Sequence, residues 1–298
     1  MSTTKTQEIK ETQSNNDIKE TEIDNETSSN IIIPPPELDE FCSPEYIDPF
    51  ARLPRIQALR GATPDLCGYF VSMDQMAKAG WLDFEYVDPY IVDYTFESNG
   101  ELESGVLLKT PRMLVIPRTP LLGYDREASQ ESQQLVILGP WKAEYKQEKN
   151  VSNLRLCEVF LLTPDNKPLH QVPLAYIAKG ANGATFSEHH NQFLTEMTNC
   201  HAISRGIAAR PKNNKFNCLC AFEFSVAREL VGDKQKSFTC RVTSHTIPTL
   251  ENWHTFFLGY SPEAKKMAWD GLQPSQPLMI PGQSNSVMAL PAAKPEEE

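Results

Sequence analysis

Between positions 216 and 243 the chain alternates apolar and polar residues with a period of two. Phe216, Cys218, Cys220, Phe222, Phe224 and Val226 fall on even positions, with Asn217, Glu223 and Ser225 among the odd ones. Such spacing puts six apolar side chains on one face of a strand over 216–226. Gly232-Asp233 then turns the chain, and Phe238, Cys240 and Val242 alternate again over 237–243. The two runs predict an antiparallel hairpin with a basic tip.

A second period, close to 3.6, runs through Phe186, His190, Phe193, Leu194, Met197 and Cys200 or His201. It predicts a helix over 186–204, opened by a capping box of Thr185 and Glu188. Short apolar runs predict strands at 54–60, 68–71, 91–97, 101–109, 113–116, 133–138, 154–163 and 169–172. Asn99-Gly100 makes one tight turn, and Pro164-Asp165-Asn166-Lys167 another. Ser72 and Gln75 form a capping box for a short helix that Gly80 stops, with Val71 and Met76 as a hydrophobic staple. Thr249 caps a segment carrying Trp253, Phe256 and Phe257 up to Gly259, and Ser261-Pro262-Glu263 opens a helix ending at Gly271. The fold class is therefore α+β, mostly antiparallel β with a few short helices, in a single globular domain over 49–272.

Charge alters the picture at the ends. The 298 residues carry a formal charge of −11. Residues 1–48 hold twelve acids against Lys5, Lys10 and Lys19, a balance of −9, and residues 273–298 contribute −2, so 49–272 is electrically neutral. Residues 1–30 have almost no apolar content, which predicts a disordered acidic N-terminal arm. Ile31-Ile32-Ile33-Pro34-Pro35-Pro36 follows as an extended segment, lying on the protein's own surface or docking a protein partner. Pro274, Pro277, Pro281, Pro291 and Pro295 mark 273–298 as a flexible acidic tail. No run of eighteen apolar residues and no signal-peptide-like segment occurs, which predicts a cytoplasmic protein without a membrane helix. Seven cysteines, an odd number scattered over a long chain, do not form a disulfide framework.

Catalytic chemistry finds little footing. Cys218 and Cys220 offer one C-x-C, with Cys200, His201, Cys240 and His245 as further donors. Structural zinc asks for pairs spaced by two to four residues, twice over, and buried thiols on an apolar face are the simpler account. Glu188-His189-His190 with Glu196 lacks the helical H-E-x-x-H arrangement of metallohydrolases. No G-x-S-x-G is present. The reading is a non-enzyme without a cofactor or metal.

Binding chemistry is more suggestive. Lys179-Gly180-Ala181-Asn182-Gly183 offers a Gly-x-x-Gly connection beside a lysine, ahead of the long helix, where glycines and helix amides approach anions closely. It is similar to the loop of KH domains but lacks the glycine expected ahead of it. Arg205, Arg210, Lys212 and Lys215 follow with no acid between them, and Lys234, Lys236, Arg241 and Arg228 decorate the hairpin. Arg52, Arg55 and Arg60 line the first strand region. Such runs make a positive groove on a neutral domain, or simply a solvated face.

Leu53-Pro54-Arg55-Ile56-Gln57-Ala58-Leu59-Arg60-Gly61, Gly68-Tyr69-Phe70 and Trp253-His254-Thr255-Phe256-Phe257-Leu258-Gly259 together resemble an uncharacterised cyanobacterial family, a domain of unknown function, over about 50–272. The opening stretch is also remotely similar to phage proteins presumed to bind single-stranded DNA. The resemblance implies no known activity and carries no catalytic residue.

Three functions compete. The first is a non-enzymatic single-stranded DNA-binding protein in replication, recombination or mobile-element maintenance. Lys179, Gly180, Gly183, Arg205, Arg210, Lys212, Lys215, Lys234, Lys236 and Arg241 would be its contacts, and the acidic tails would compete for the groove. The second is a structural or adaptor protein assembling, as a homo-oligomer or with a partner, through its β-face and the 31–36 segment. The third is a metal-dependent hydrolase using His189, His190 or Glu196.

Overall fold

Strand-forming runs dominate the first half of the chain and the segment after residue 222, and they pair into one sheet. The computed structural model describes residues 53–96, 100–132, 134–232 and 236–272. The arm and tail expected at the termini, Arg52, the 31–36 segment, Asn99 and Lys234 lie outside the described residues.

Strands β1 (Arg55–Leu59), β2 (Gly68–Ser72), β3 (Ile91–Thr95) and β4 (Leu102–Leu108) come first, with short helices α1 (Met73–Ala79) and α2 (Phe84–Val87) between β2 and β3. There follow β5 (Arg112–Pro117), β6 (Leu122–Asp125), α3 (Arg126–Glu131), β7 (Val136–Pro140), β8 (Val151–Leu161) and β9 (Leu174–Lys179). Then come α4 (Gly180–Ser204), α5 (Asn214–Asn217), β10 (Phe222–Val231), β11 (Ser237–His245) and α6 (Pro262–Leu272). The sheet order is β11-β10-β5-β8-β9-β1-β2-β4-β3, with β6 and β7 branching from β8. Among the described pairings only β1 with β9 is parallel, so the sheet is mostly antiparallel, as its alternating sequences imply.

This sheet curls. From β10 to β2 is five strand steps, about 24 Å on a flat sheet, yet the rings of Tyr69 on β2 and Phe224 on β10 lie 5.2 Å apart. The concave side is filled by α4, whose Phe186, Phe193 and Met197 are buried among Tyr69, Tyr176, Phe222 and Phe224. Polar groups at this seam are paired. The Tyr69 and Tyr176 hydroxyls lie 2.8 Å apart, Tyr176 donates to Asn182 Oδ1, and Asn182 Nδ2 donates to the Cys240 carbonyl at 3.0 Å. The convex side of β5 and β8 has its own core, where Leu114, Ile116 and Phe160 meet Ala264 and Ala268 of α6. Buried Arg118 bonds both Glu158 and the Gly271 carbonyl and so fastens the end of α6.

Several expectations need correction. The helices are not all short: α4 spans 25 residues. It begins at Gly180 rather than at residue 186, so Thr185 is no cap. Its hydroxyl instead accepts from Val242 N across to β11 and faces the Ala181 and Asn182 carbonyls. Ser72 is the N-cap residue of α1 but makes no side-chain cap bond, and Gln75 Oε1, the other half of the expected capping box, accepts from Arg55 N instead. The strand expected over 216–226 starts only at Phe222. Asn213 accepts from Phe216 N and winds 214–217 into a helical turn, so Cys218 and Cys220 part into different cores. Residues 169–172 are not a strand. His170 is buried there, accepting from Leu161 N and donating from Nδ1 to the Val172 carbonyl.

Candidate nucleic-acid interface

At 1.5 Å per residue α4 is about 36 Å long, with Lys179 at its N-terminal end and Arg205 at its C-terminal end. Lys179 is the exposed N-cap residue. Gly180-Ala181-Asn182-Gly183 is the first turn of the helix rather than a loop. Gly180 takes φ +60 to leave β9, and Gly183 packs so tightly that an added Cβ would come 2.5 Å from the Ala178 carbonyl carbon. The hairpin β10–β11 lies along this end, through the Asn182 and Thr185 bonds, and brings exposed Lys236 here. Arg241 is committed to Glu229 at 2.9 Å. Arg228 lies 3.4 Å over the Phe238 ring and donates to the Gly61 carbonyl. This end holds Lys179 and Lys236, but its arginines are engaged.

The other end is richer. Arg205 caps α4 in an exposed stretch that continues through Arg210. Lys212 sits 5.6 Å over the Phe216 ring, Phe216 lies 4.9 Å from Phe257, and Phe257 meets Tyr260 at 5.4 Å. Tyr260 is 65% exposed. Trp269 of α6 donates to the Lys215 carbonyl, with Lys215 Nζ 5.2 Å and Lys265 Nζ 5.9 Å from its ring. Exposed Lys266 adds a further charge, and none of these six cations makes an ion pair among the described residues. The nearby imidazole of His201 is held below its usual range by burial and then by Lys212 and Arg205, a sign that positive charge converges here. The acids on α6 are Glu263, folded back on Ser261, and Asp270.

The residues considered for metal chemistry do not share one place. His190 stacks on Phe186 and abuts Phe222 inside the core. His189 and Glu196 are joined by a residue on β11: His245 Nδ1 is 2.9 Å from His189 Nδ1, and its Nε2 is 3.0 Å from Glu196 Oε2. These facing atoms hydrogen-bond one another, and no group of three or more ligating side chains occurs among the described residues.

Residues 50–289 match the family described as Domain of unknown function (DUF5895). The chain belongs to that family. Uncharacterized protein 254L of Invertebrate iridescent virus 6 is similar to it, 26% identical over 181 residues, which cover 57% of this chain and 52% of the viral protein. The chain thus spans about half the length of that relative. No solved structure matches it. Both ends of α4 fall inside the DUF5895 match.

The apolar face of alternating residues does turn Phe222 and Phe224 into the core, and Trp253 and Phe256 are buried as well. The sequence pattern does not reveal the aromatic partners of the basic end. Tyr260, Trp269, Lys265 and Lys266 carry a signal only in hindsight of the fold: a Lys-Lys pair and a tryptophan four residues on, in a helix already expected over 261–271.

Proposed function

We propose that the chain is a non-enzymatic single-stranded DNA-binding protein whose contact surface is the C-terminal end of α4 with α5 and α6. The observation that carries this is the continuous run Lys212–Phe216–Phe257–Tyr260 beside Lys215, Trp269 and Lys265, whose cations make no ion pair among the described residues. Positive charge neutralises phosphates and rings offer stacking faces, the two elements of sequence-tolerant strand binding. Lys179 and Lys236 belong to a separate, secondary surface. Similarity of the opening stretch to phage proteins presumed to bind single strands points the same way. A cyanobacterial setting and a role in replication, recombination or mobile-element maintenance belong to the same proposal.

Fluorescence anisotropy of a labelled single-stranded oligonucleotide, titrated at low and moderate salt, tests it. K212E/K215E should weaken binding about tenfold or more, whereas K179E/K236E should change it about threefold or less. Absence of binding at low salt, or equal loss in both variants, rejects the proposal.

An adaptor role is the second reading, favoured by exposed Ile203, Ile207, Ile247 and Leu250. Cys200 Sγ donates to the Pro248 carbonyl, which lays the 247–250 loop beside the last turns of α4. If that patch assembles, native mass spectrometry will show an oligomer that Ile203→Glu with Ile247→Glu dissociates.

A further inference from the structure

Two buried nitrogens without hydrogen-bond partners, His190 Nε2 and Arg155 Nε, belong to residues that line the same cavity. The cavity, about 100 Å³, lies between β5, β8, α4 and α5. His190 is 9% exposed. Ser187 and Asn191 of α4 and Asn214 and Asn217 of α5 complete its polar wall, and no carboxylate takes part. Arg155 makes no ion pair among the described residues.

A guanidinium Nε and a ring nitrogen without partners are costly to hold away from water, and native proteins rarely leave them so. Burial and the nearby Arg155 keep His190 uncharged, its pKa pushed down to about 3. The wall therefore presents one positive charge, amides, a hydroxyl and a neutral imidazole able to donate. Its volume equals the share of about three waters, enough for one tetrahedral oxyanion.

We propose that this cavity binds a phosphate group, with Arg155 supplying the charge and His190, Asn191, Asn214 and Asn217 the neutral hydrogen bonds. Guanidinium forks match phosphate oxygens in geometry as well as charge. The phosphate comes either free, as the inorganic ion, or as the terminal monoester of a nucleic-acid strand, since α5 carries Lys215 on its other side. The site itself does not depend on strand binding.

Isothermal titration of the full chain with inorganic phosphate tests the site. Binding to wild type should be lost about tenfold or more in Arg155→Gln. It should fall likewise in His190→Phe, which keeps the stacking on Phe186 and Phe222, with circular dichroism confirming that each variant folds. A second arm compares 5′-phosphorylated with 5′-hydroxyl oligonucleotide. Tighter binding of the phosphorylated strand, abolished by Arg155→Gln, assigns the strand end as the source. Equal binding of the two strands alongside phosphate binding assigns the free ion. If neither phosphate nor the phosphorylated strand discriminates wild type from folded variants, the cavity holds only water and the proposal fails.

Discussion

His170 and His190 are shut away from water, and burial pushes their pKa values down to about 4 and about 3. An unfolded histidine titrates near 6.5. Between that value and the folded ones the unfolded chain binds protons that the native chain refuses, so stability is complete above about pH 6.5 and falls as pH is lowered. At pH 5 each ring costs about 2 kcal/mol relative to neutral pH. Urea unfolding at pH 7 and pH 5 should therefore lose about 4 kcal/mol from this pair, and His190→Phe should remove about half of that dependence. An unchanged pH dependence in the variant would show that His190 titrates normally. His170 was not legible as a core histidine, because its segment reads as a strand. The place of His190 on the apolar stripe with Phe186 and Phe193 did point it inward; what the stripe did not show was the true start of the helix.

That start is set by contacts between elements. Gly, Ala, Asn and Gly form a weak helix-forming quartet, and reading them as a connection follows from propensity alone. The fold overrides it because Asn182 bridges Tyr176 to the Cys240 carbonyl and Gly183 seats against Ala178. The two glycines then differ in kind. Gly180→Ala meets open space and bears only the left-handed φ, about 1 kcal/mol. Gly183→Ala forces backbone apart, and thermal unfolding should show a cost of about 2–3 kcal/mol despite alanine's better helix propensity. Equal costs would mean that the helix start tolerates displacement from β9. The same competition explains 214–221, where Phe216 and Cys220 fit a helical turn as well as a strand. Asn213 decides for the turn, and Cys220 Sγ donates back to the Phe216 carbonyl. Strands with clear alternation or turn signals, such as β3, β4 and β11, were legible to within two residues at each end.

Across the whole molecule, the length of α4 governs how charge is displayed. Basic runs could be read from sequence, but not that Lys179 and Arg205 stand at opposite ends of a helix about 36 Å long, nor that α6 brings Lys265 and Trp269 to Lys215. A strand held by Arg205, Arg210, Lys212 and Lys215 should give a log–log salt slope near −3, falling to about −1.5 in K212E/K215E. A slope near zero would show that charge plays no part in the contact.

The wrapping of α4 also fixes an order in time. Strands β1 to β9 precede the helix in the chain, whereas β10 and β11, which cover its Phe186 and Phe193, follow it. During synthesis, at about 5–20 residues per second, roughly forty residues separate the end of the helix from the end of that hairpin, an interval of about 2–8 s. Through those seconds a nascent chain carries an uncovered aromatic stripe. Ribosome-bound chains halted once α4 but not β10–β11 has left the exit tunnel should accordingly be caught by apolar-binding chaperones, and those from which residue 245 has emerged released.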